Sequence, residues 1–382
     1  MIQIAKINKA KRMQNNKIKV KNLFKFLAKS KHKAGEGLEQ GQYPFYTSSA
    51  TVNKYFDEYD FESDKLIFAT GGSASVHYAK SKFAVSTDNF VLEPFENVNA
   101  KYVYYYLKNN IRILQDGFHG AGLQHLSKDY LSEIGIPMLN SIEQQKIVSI
   151  LDKADEIRTK KKQANEKLDE FLNSKFFEIF GNLETNTNGW KVEKLEDISY
   201  KITDGVHSKP VYTDSGIPFV SVKDITTKKL LLNDCKFISN EAHIKYSKRC
   251  KPEYEDVLYT KVGATYGRAC VVDTQEEFSL YVSVALIKPK KNIINPYFLK
   301  AVLNTDSIKK QADKRIKGIG VPDLHLIEIK NFIIPVPPMV EQMKFLKIVE
   351  KVEEQKQRNE KIIEQMDNLF NSLSQKAFKG EL

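Results

Sequence analysis

The sequence predicts an α+β chain in which two globular domains alternate with two long helices that pair as an antiparallel coiled coil. Three observations predict it. The first is a repeat: IPMLNSIEQQKIVSILDKADEIRTKKKQANEKLDEFLNSKFFEIF, from Ile136 to Phe180, returns in pattern as IPVPPMVEQMKFLKIVEKVEEQKQRNEKIIEQMDNLFNSLSQKAF, from Ile334 to Phe378. The second is the constancy of the offset, 335 − 137 = 198 for the proline, 341 − 143 = 198 for the first glutamate and 378 − 180 = 198 for the last phenylalanine. The third is that each helical stretch is preceded by a domain-sized segment of short apolar runs broken by Gly, Ser and Asp.

In chain order, residues 1–140 form the first globular domain, 141–181 the first long helix, 182–338 a linker and the second domain, and 339–382 the second helix and tail. The copies match beyond the helices. Gly120 and Gly122 correspond to Gly318 and Gly320 at the same offset; Asp64 and Leu66 correspond to Asp256 and Leu258 at 192, and Pro44-Phe45 to Pro218-Phe219 at 174. The second copy therefore carries 18 extra residues (192 − 174) between those last two landmarks. KLIFA (65–69) and VLYT (257–260) read as strands, and YVYYYLKN (102–109) and YFLKAVLN (297–304) as short helices. The polar stretch Asn182–Gly189 reads as a linker between the copies.

The first long helix is expected to open with a capping box, Ser141 with Gln144, and Glu143 in its first turn. The second follows Pro337-Pro338, residues that suit a helix start. Apolar residues recur at alternating threes and fours: Ile147, Leu151, Ala154, Leu168, Leu172, Phe176 and Ile179 in one, Phe345, Val349, Val352, Ile363, Met366, Phe370 and Leu373 in the other. A stripe this narrow is a coiled-coil seam. Both helices are polar in the middle, so each would be marginal alone, and the two are expected to pack on each other with a pseudo-twofold relation.

The chain has 382 residues, 41% of them hydrophobic, enough for a core in each domain, and a net charge of +11 that favours an anionic partner, nucleic acid first. Cys235, Cys250 and Cys270 form no C-x-x-C pair, which argues against zinc and disulfides and suits a reducing cytoplasm. The basic start MIQIAKINKAKRMQNNK has no apolar segment and is not expected to be a signal peptide, and no membrane span is expected.

The stretches WKVEKL (190–195), DGVHSKP (204–210), GIPFVSVKD (216–224), DVLYTKVGATYG (256–267), IPVPP (334–338) with Glu341-Gln342, and AFKGEL (377–382), in this order and with the duplicated helix, resemble the specificity (S) subunit of Type I restriction–modification enzymes over nearly the whole length. The first copy departs from that pattern, with Ile18 in place of Trp190, Leu139-Asn140 in place of Pro337-Pro338, and GGSAS (71–75) in place of the GATYG loop. The resemblance implies two target-recognition domains, each reading one half of a bipartite asymmetric site on double-stranded DNA. The helices would set the unread spacer and dock two methyltransferase subunits, with restriction subunits joining that core. It implies a chain that is not itself an enzyme and holds no cofactor; S-adenosylmethionine, ATP and magnesium are expected in the partner subunits.

The expected DNA-contacting residues of the second domain are Lys261, Thr265, Tyr266 and Arg268 in the loop between Gly263 and Gly267 and its flanks, with His207, Lys209, Lys223 and Lys317. That loop reads equally as a hairpin with an exposed tip, and His207, a lone histidine, reads more readily as structural. In the first domain the counterparts are Thr70, Ser73, Ser75, His77, His119 and Gln124. The hydroxyl run Thr47–Ser49 reads as phosphate contacts or as turn caps, and the basic arm Lys6–Lys21 as a phosphate-binding or frayed segment. Two rival readings use other motifs. Asp323, Glu328 and Lys330 imitate a metal-dependent nuclease site, and a third class is a coiled-coil scaffold that binds only protein. Asn295-Pro-Tyr-Phe298 approaches an adenine-methyltransferase signature but lacks its second proline and a glycine-rich cofactor loop, and reads as a helix start.

Overall fold

The computed structural model describes residues 17–120, 124–316 and 321–378. By internal contacts the chain divides into two units, residues 1–165 with 358–382 and residues 166–357. Each unit therefore holds one globular domain and a part of both long helices.

In the first unit, a four-stranded antiparallel sheet has the order Phe24–Phe26, Asn89–Pro94, Lys65–Ala69, Val76–Ala79. A second sheet orders Lys54–Phe56, Tyr43–Tyr46 and Ala84–Val85, the last pair parallel. Strand Lys17–Lys19 pairs with Gly135–Pro137, just before the long helix. The second unit repeats all of this. Its four strands run Ser199–Asp204, Val284–Pro289, Val257–Thr260, Ala269–Val271, and its three-stranded sheet runs Lys236–Ile238, Ile217–Val220, Ser279–Leu280. Lys191–Lys194 pairs with Ile333–Val336.

The central strands KLIFA and VLYT are buried at every position, not half-buried as alternation would make them. Successive side chains point to opposite faces of a strand. Leu66 and Phe68 enter a core shared with Tyr102, Val103 and Leu107, while Ile67 joins Tyr46, Phe83 and Val85 on the other face. Val257 and Tyr259 likewise face Phe298, Leu299 and Val302, and Leu258 faces Val220, Phe278 and Leu280. Each domain is thus a helical layer, a four-stranded sheet and a smaller sheet. The short helices are Ala100–Asn109 and Pro296–Leu303, capped by Asn99 and Asn295; the Asn295-Pro pair starts a helix, as read from the sequence.

The extra residues of the second copy fall on both sides of strand Lys236–Ile238, and those after it form the helix Asn240–Ser247, which has no counterpart between Lys54–Phe56 and Lys65–Ala69.

The long helices run Ser141–Phe180 and Met339–Phe378, 40 residues each, with both ends displaced by 198. At 1.5 Å per residue each is about 60 Å long. Within each unit they pair antiparallel: Arg158 Nη1 donates to Asp367 Oδ1 at 3.0 Å in the first, and Lys356 bonds Asp169 in the second. The cap of the first helix lies one residue earlier than the capping-box reading placed it. Asn140 Oδ1 accepts from Glu143 N at 2.9 Å, and Asn140 Nδ2 donates to Glu143 Oε2 at 3.1 Å. Gln144 instead folds back to Leu139 O at 2.8 Å, and its repeat mate Gln342 does the same to Pro337 O at 2.8 Å. Phe378 packs on Tyr102 and Tyr106, and its mate Phe180 on Phe298. No helix among the described residues is long and apolar enough to cross a membrane.

Candidate nucleic-acid interface

In both domains the same backbone joint assembles stretches that are far apart in sequence. In the first, Leu126 N donates to Thr70 O at 3.0 Å, and Gly71 bridges to His125. In the second, Leu324 N donates to Lys261 O at 2.8 Å, and Val262 bridges to Asp323. The loop after the third sheet strand is therefore stitched to the segment that follows the Gly-x-Gly pair in each copy.

The second-domain loop is a closed turn. Thr260 Oγ1 donates to Thr265 O at 2.8 Å and accepts from Arg268 N at 2.9 Å. Gly263 and Gly267 have φ of 86° and 88°, a region costly for residues with a Cβ. Thr265 is half-exposed at the turn. Tyr266 donates its hydroxyl to Asp313 Oδ1 at 2.5 Å and lies under the Lys309 ammonium, 3.5 Å from the ring centroid. Arg268 reaches back to Thr226 O.

Lys261 departs from its expected role. Its side chain is 7% exposed, and its ammonium lies 3.6 Å from both Asp204 Oδ2 and Asp323 Oδ1. It is an internal counter-ion and is not presented to a phosphate. Asp204, itself buried, also accepts from Arg249 Nη2 at 2.5 Å and lies 3.1 Å from His207 Nε2. His207 and Lys209 are exposed on the adjoining loop. Gly205 there packs so closely that a Cβ would meet Leu280 O at 2.0 Å. Lys223 is exposed and donates to Asp234 O at 3.1 Å. Lys317 lies outside the described residues, as does the part of the basic arm at positions 6–16.

In the first domain Thr70 and Ser75 are buried, which corrects their expected placement, and the Ser75 hydroxyl is inaccessible to solvent. His77 is half-buried against Tyr46, with Nε2 3.0 Å from Ser49 O; burial pushes its pKa below the usual histidine value. Ser48 Oγ donates to Asp88 O at 3.0 Å, a contact distant in sequence, and Ser49 Oγ accepts from Thr51 N at 3.2 Å, a turn-capping use of that hydroxyl run. Ser73, His119 and Gln124 are exposed, and His119 lies on the strand pair Phe118–His119 with His125–Leu126.

The nuclease-like residues are drawn into separate ion pairs. Asp323 faces Lys261 and His325, and Glu328 lies 3.9 Å from Arg315 Nε. Among the described residues no group of three or more His, Cys, Asp or Glu side chains is placed to hold a metal.

The sequence reading missed Lys245 and Arg249. With His207 and Ser208 they line a cavity of about 310 Å³ whose other walls include Tyr246, Cys250 and Leu280. Burial pushes the Cys250 thiol up to about 12, so this wall is neutral. The signal was present as the basic run HIKYSKRCK at 243–251, inside the extra residues of the second copy.

Two α+β domains of one topology, each joined to its own long helix, define a duplicated scaffold whose copies differ in their loops. The chain belongs to the Type I restriction modification DNA specificity domain family, whose model matches residues 13–170 and 187–368. It is similar to the Type I restriction enzyme MjaIX specificity subunit of Methanocaldococcus jannaschii, 28% identical over 76% of this chain and 70% of that one. It is also similar to the EcoBI specificity subunit of Escherichia coli, 25% identical over 75% and 66%. The crystal structure of a Type-I restriction-modification system S subunit from M. genitalium matches with a TM-score of 0.58 at 17% identity, covering 95% of each chain, and shares the fold.

Proposed function

We propose that this chain is the DNA-recognition subunit of a Type I restriction–modification complex, with each globular domain reading one half of a bipartite, asymmetric site. The observation that carries this is the contrast between scaffold and loops. The long helices keep one offset from first residue to last, while the domains they carry share sheet order and differ in the loops beside the shared joint. Parts that set spacing and meet identical partners need constant register; parts that read different half-sites need different side chains.

The residues proposed to face DNA are Ser73, His119 and Gln124 in the first domain, and His207, Lys209, Lys223 and Thr265 in the second. Tyr266 and Arg268 hold the loop and reach DNA only with an exchange of partner. Lysine and hydroxyl groups position the phosphates, and glutamine or histidine edges read bases.

Two methyltransferase subunits are the proposed partners of the helices. Supporting this, Ile142 and its mate Val340 are exposed, as are Phe171 and its mate Leu369. Apolar groups left in solvent at equivalent positions suit two copies of one partner. The chain itself supplies no catalysis in this reading; S-adenosylmethionine, ATP and magnesium belong to the methyltransferase and restriction subunits.

The test is a domain exchange. Replacing residues 190–338 with the equivalent domain of a relative, and co-expressing the methyltransferase, should replace one half of the methylated motif and keep the other. A change in both halves, or in neither, contradicts the proposal.

A further inference from the structure

Helix Asn240–Ser247 and the residues after it are an addition that only the second domain possesses, and they close one side of the cavity beside loop Gly205–Ser208. Three basic side chains line this cavity, His207, Lys245 and Arg249, and no carboxylate does. Beneath them Asp204, nearly inaccessible, acts as an anchor. Its Oδ1 takes Arg249 Nη2 at 2.5 Å and lies 3.1 Å from His207 Nε2, while its Oδ2 faces the buried Lys261 at 3.6 Å. Arg249 Nη2 and His207 Nε2 are 3.2 Å apart, two nitrogen groups converged on one carboxylate oxygen. The Arg249 side chain is still 56% exposed, so part of its five-donor fork faces the opening.

The first domain has an equivalent backbone bridge beside this position without this chemistry. The parallel bridge Val206 to Tyr281 corresponds to the bridge His32 to Ser86. There the histidine is flanked by Asp60 at 3.2 Å and Glu36 at 3.4 Å, carboxylates that repel an anion.

We propose that the cavity of the second domain binds a phosphate group, held by Arg249 and Lys245 with His207 at its edge. A guanidinium pre-oriented by a buried carboxylate suits a tetrahedral oxyanion, which it binds with two parallel donors. The size admits one phosphate with its ester substituents, and Val206 and Leu280 give the cavity an apolar part beside its basic groups. Resting on the proposed DNA-recognition role, the source is a backbone phosphate flanking the second half-site. The two domains would then grip DNA unequally, the second with an added clamp.

The experiment measures binding of the full chain to a mixed-sequence duplex of about 30 base pairs, several times the footprint of one phosphate contact, by fluorescence anisotropy across a salt series. In parallel, calorimetry titrates inorganic pyrophosphate at fixed ionic strength. Arg249→Ala and Lys245→Ala should each flatten the slope of log affinity against log salt by about one. Arg249→Lys should restore part of it, and Lys191→Ala, which removes an exposed charge on strand Lys191–Lys194, should leave it unchanged. Lys245 is exposed on a short helix, so its variant tests the site even if Arg249→Ala unfolds. Slopes unchanged in both alanine variants, with pyrophosphate bound only by the unaltered chain, would keep the phosphate site and assign it to a free anion. Unchanged slopes with no pyrophosphate binding overturn the proposal. If the unaltered chain binds no duplex, the pyrophosphate titration decides the cavity, and the domain exchange decides the recognition reading separately.

Discussion

Lys261 and Lys209 stand in similar polar, glycine-flanked stretches, yet the fold sends one inward and leaves the other in water. The difference is tertiary. Lys261 finds Asp204 and Asp323, one from the strand two places away in the sheet and the other from the segment stitched to its loop, and no local pattern announces either partner. Breaking a buried ion group by removing one member leaves an uncompensated charge, a loss of about 3 kcal/mol. Lys261→Ala should therefore lower unfolding stability by about that amount in urea denaturation, and a loss below about 1 kcal/mol would show that Arg249 and His207 alone satisfy Asp204. The same reasoning explains Thr70 and Ser75: a hydroxyl in a glycine-rich stretch looks like a contact residue until the sheet around it is assembled. His207, Lys209, Ser73 and Gln124 are exposed, where a surface reading expects them.

The helices were the most legible elements, since apolar period and lack of internal proline or glycine specify a long helix without tertiary information. Ile147, Leu151, Phe176, Phe345, Val352 and Phe370 are buried or nearly so, as their spacing requires. An apolar seam could not disclose its polar member. Asn359, 2% exposed, donates Nδ2 to Asn165 Oδ1 at 2.7 Å and accepts from Lys161 Nζ at 3.4 Å through Oδ1. Lys161 and Asn359 are repeat mates (359 − 161 = 198), and mates meet only where antiparallel copies cross. A buried asparagine bonded to a half-exposed one at the seam fixes register at some cost in stability. Asn359→Ala should cost about 1 kcal/mol by removing its bonds to Asn165 and Lys161. Asn165→Leu with Asn359→Leu should recover that loss while loosening the register, read as a melting temperature at or above that of the unaltered chain. A double variant less stable than the single one would contradict this. The cap at Asn140 was misplaced by one residue because asparagine and serine stand side by side, and both are good caps.

For the whole molecule, duplication was visible in the constant offset, and the structure adds that both domains share sheet order, strand direction and the joint between loop and Gly-x-Gly segment. What sequence could not supply was the asymmetry of chemistry at that joint, because the added helix of the second domain carries Lys245 and leads to Arg249, which meets Asp204 only after folding. If the helices set the spacer, removing one heptad from each at facing positions should shift the distance between half-sites and leave both half-sequences readable. A variant that reads new half-sequences would contradict the spacer role. Recognition of one split site is best decided by a genome-wide map of N6-methyladenine in the source cell with and without this gene. A single bipartite motif, methylated on both strands, is expected to disappear when the gene is removed. A motif modified in the parent cell that persists unchanged after removal, or one that is lost but has no unread interval, would contradict that role.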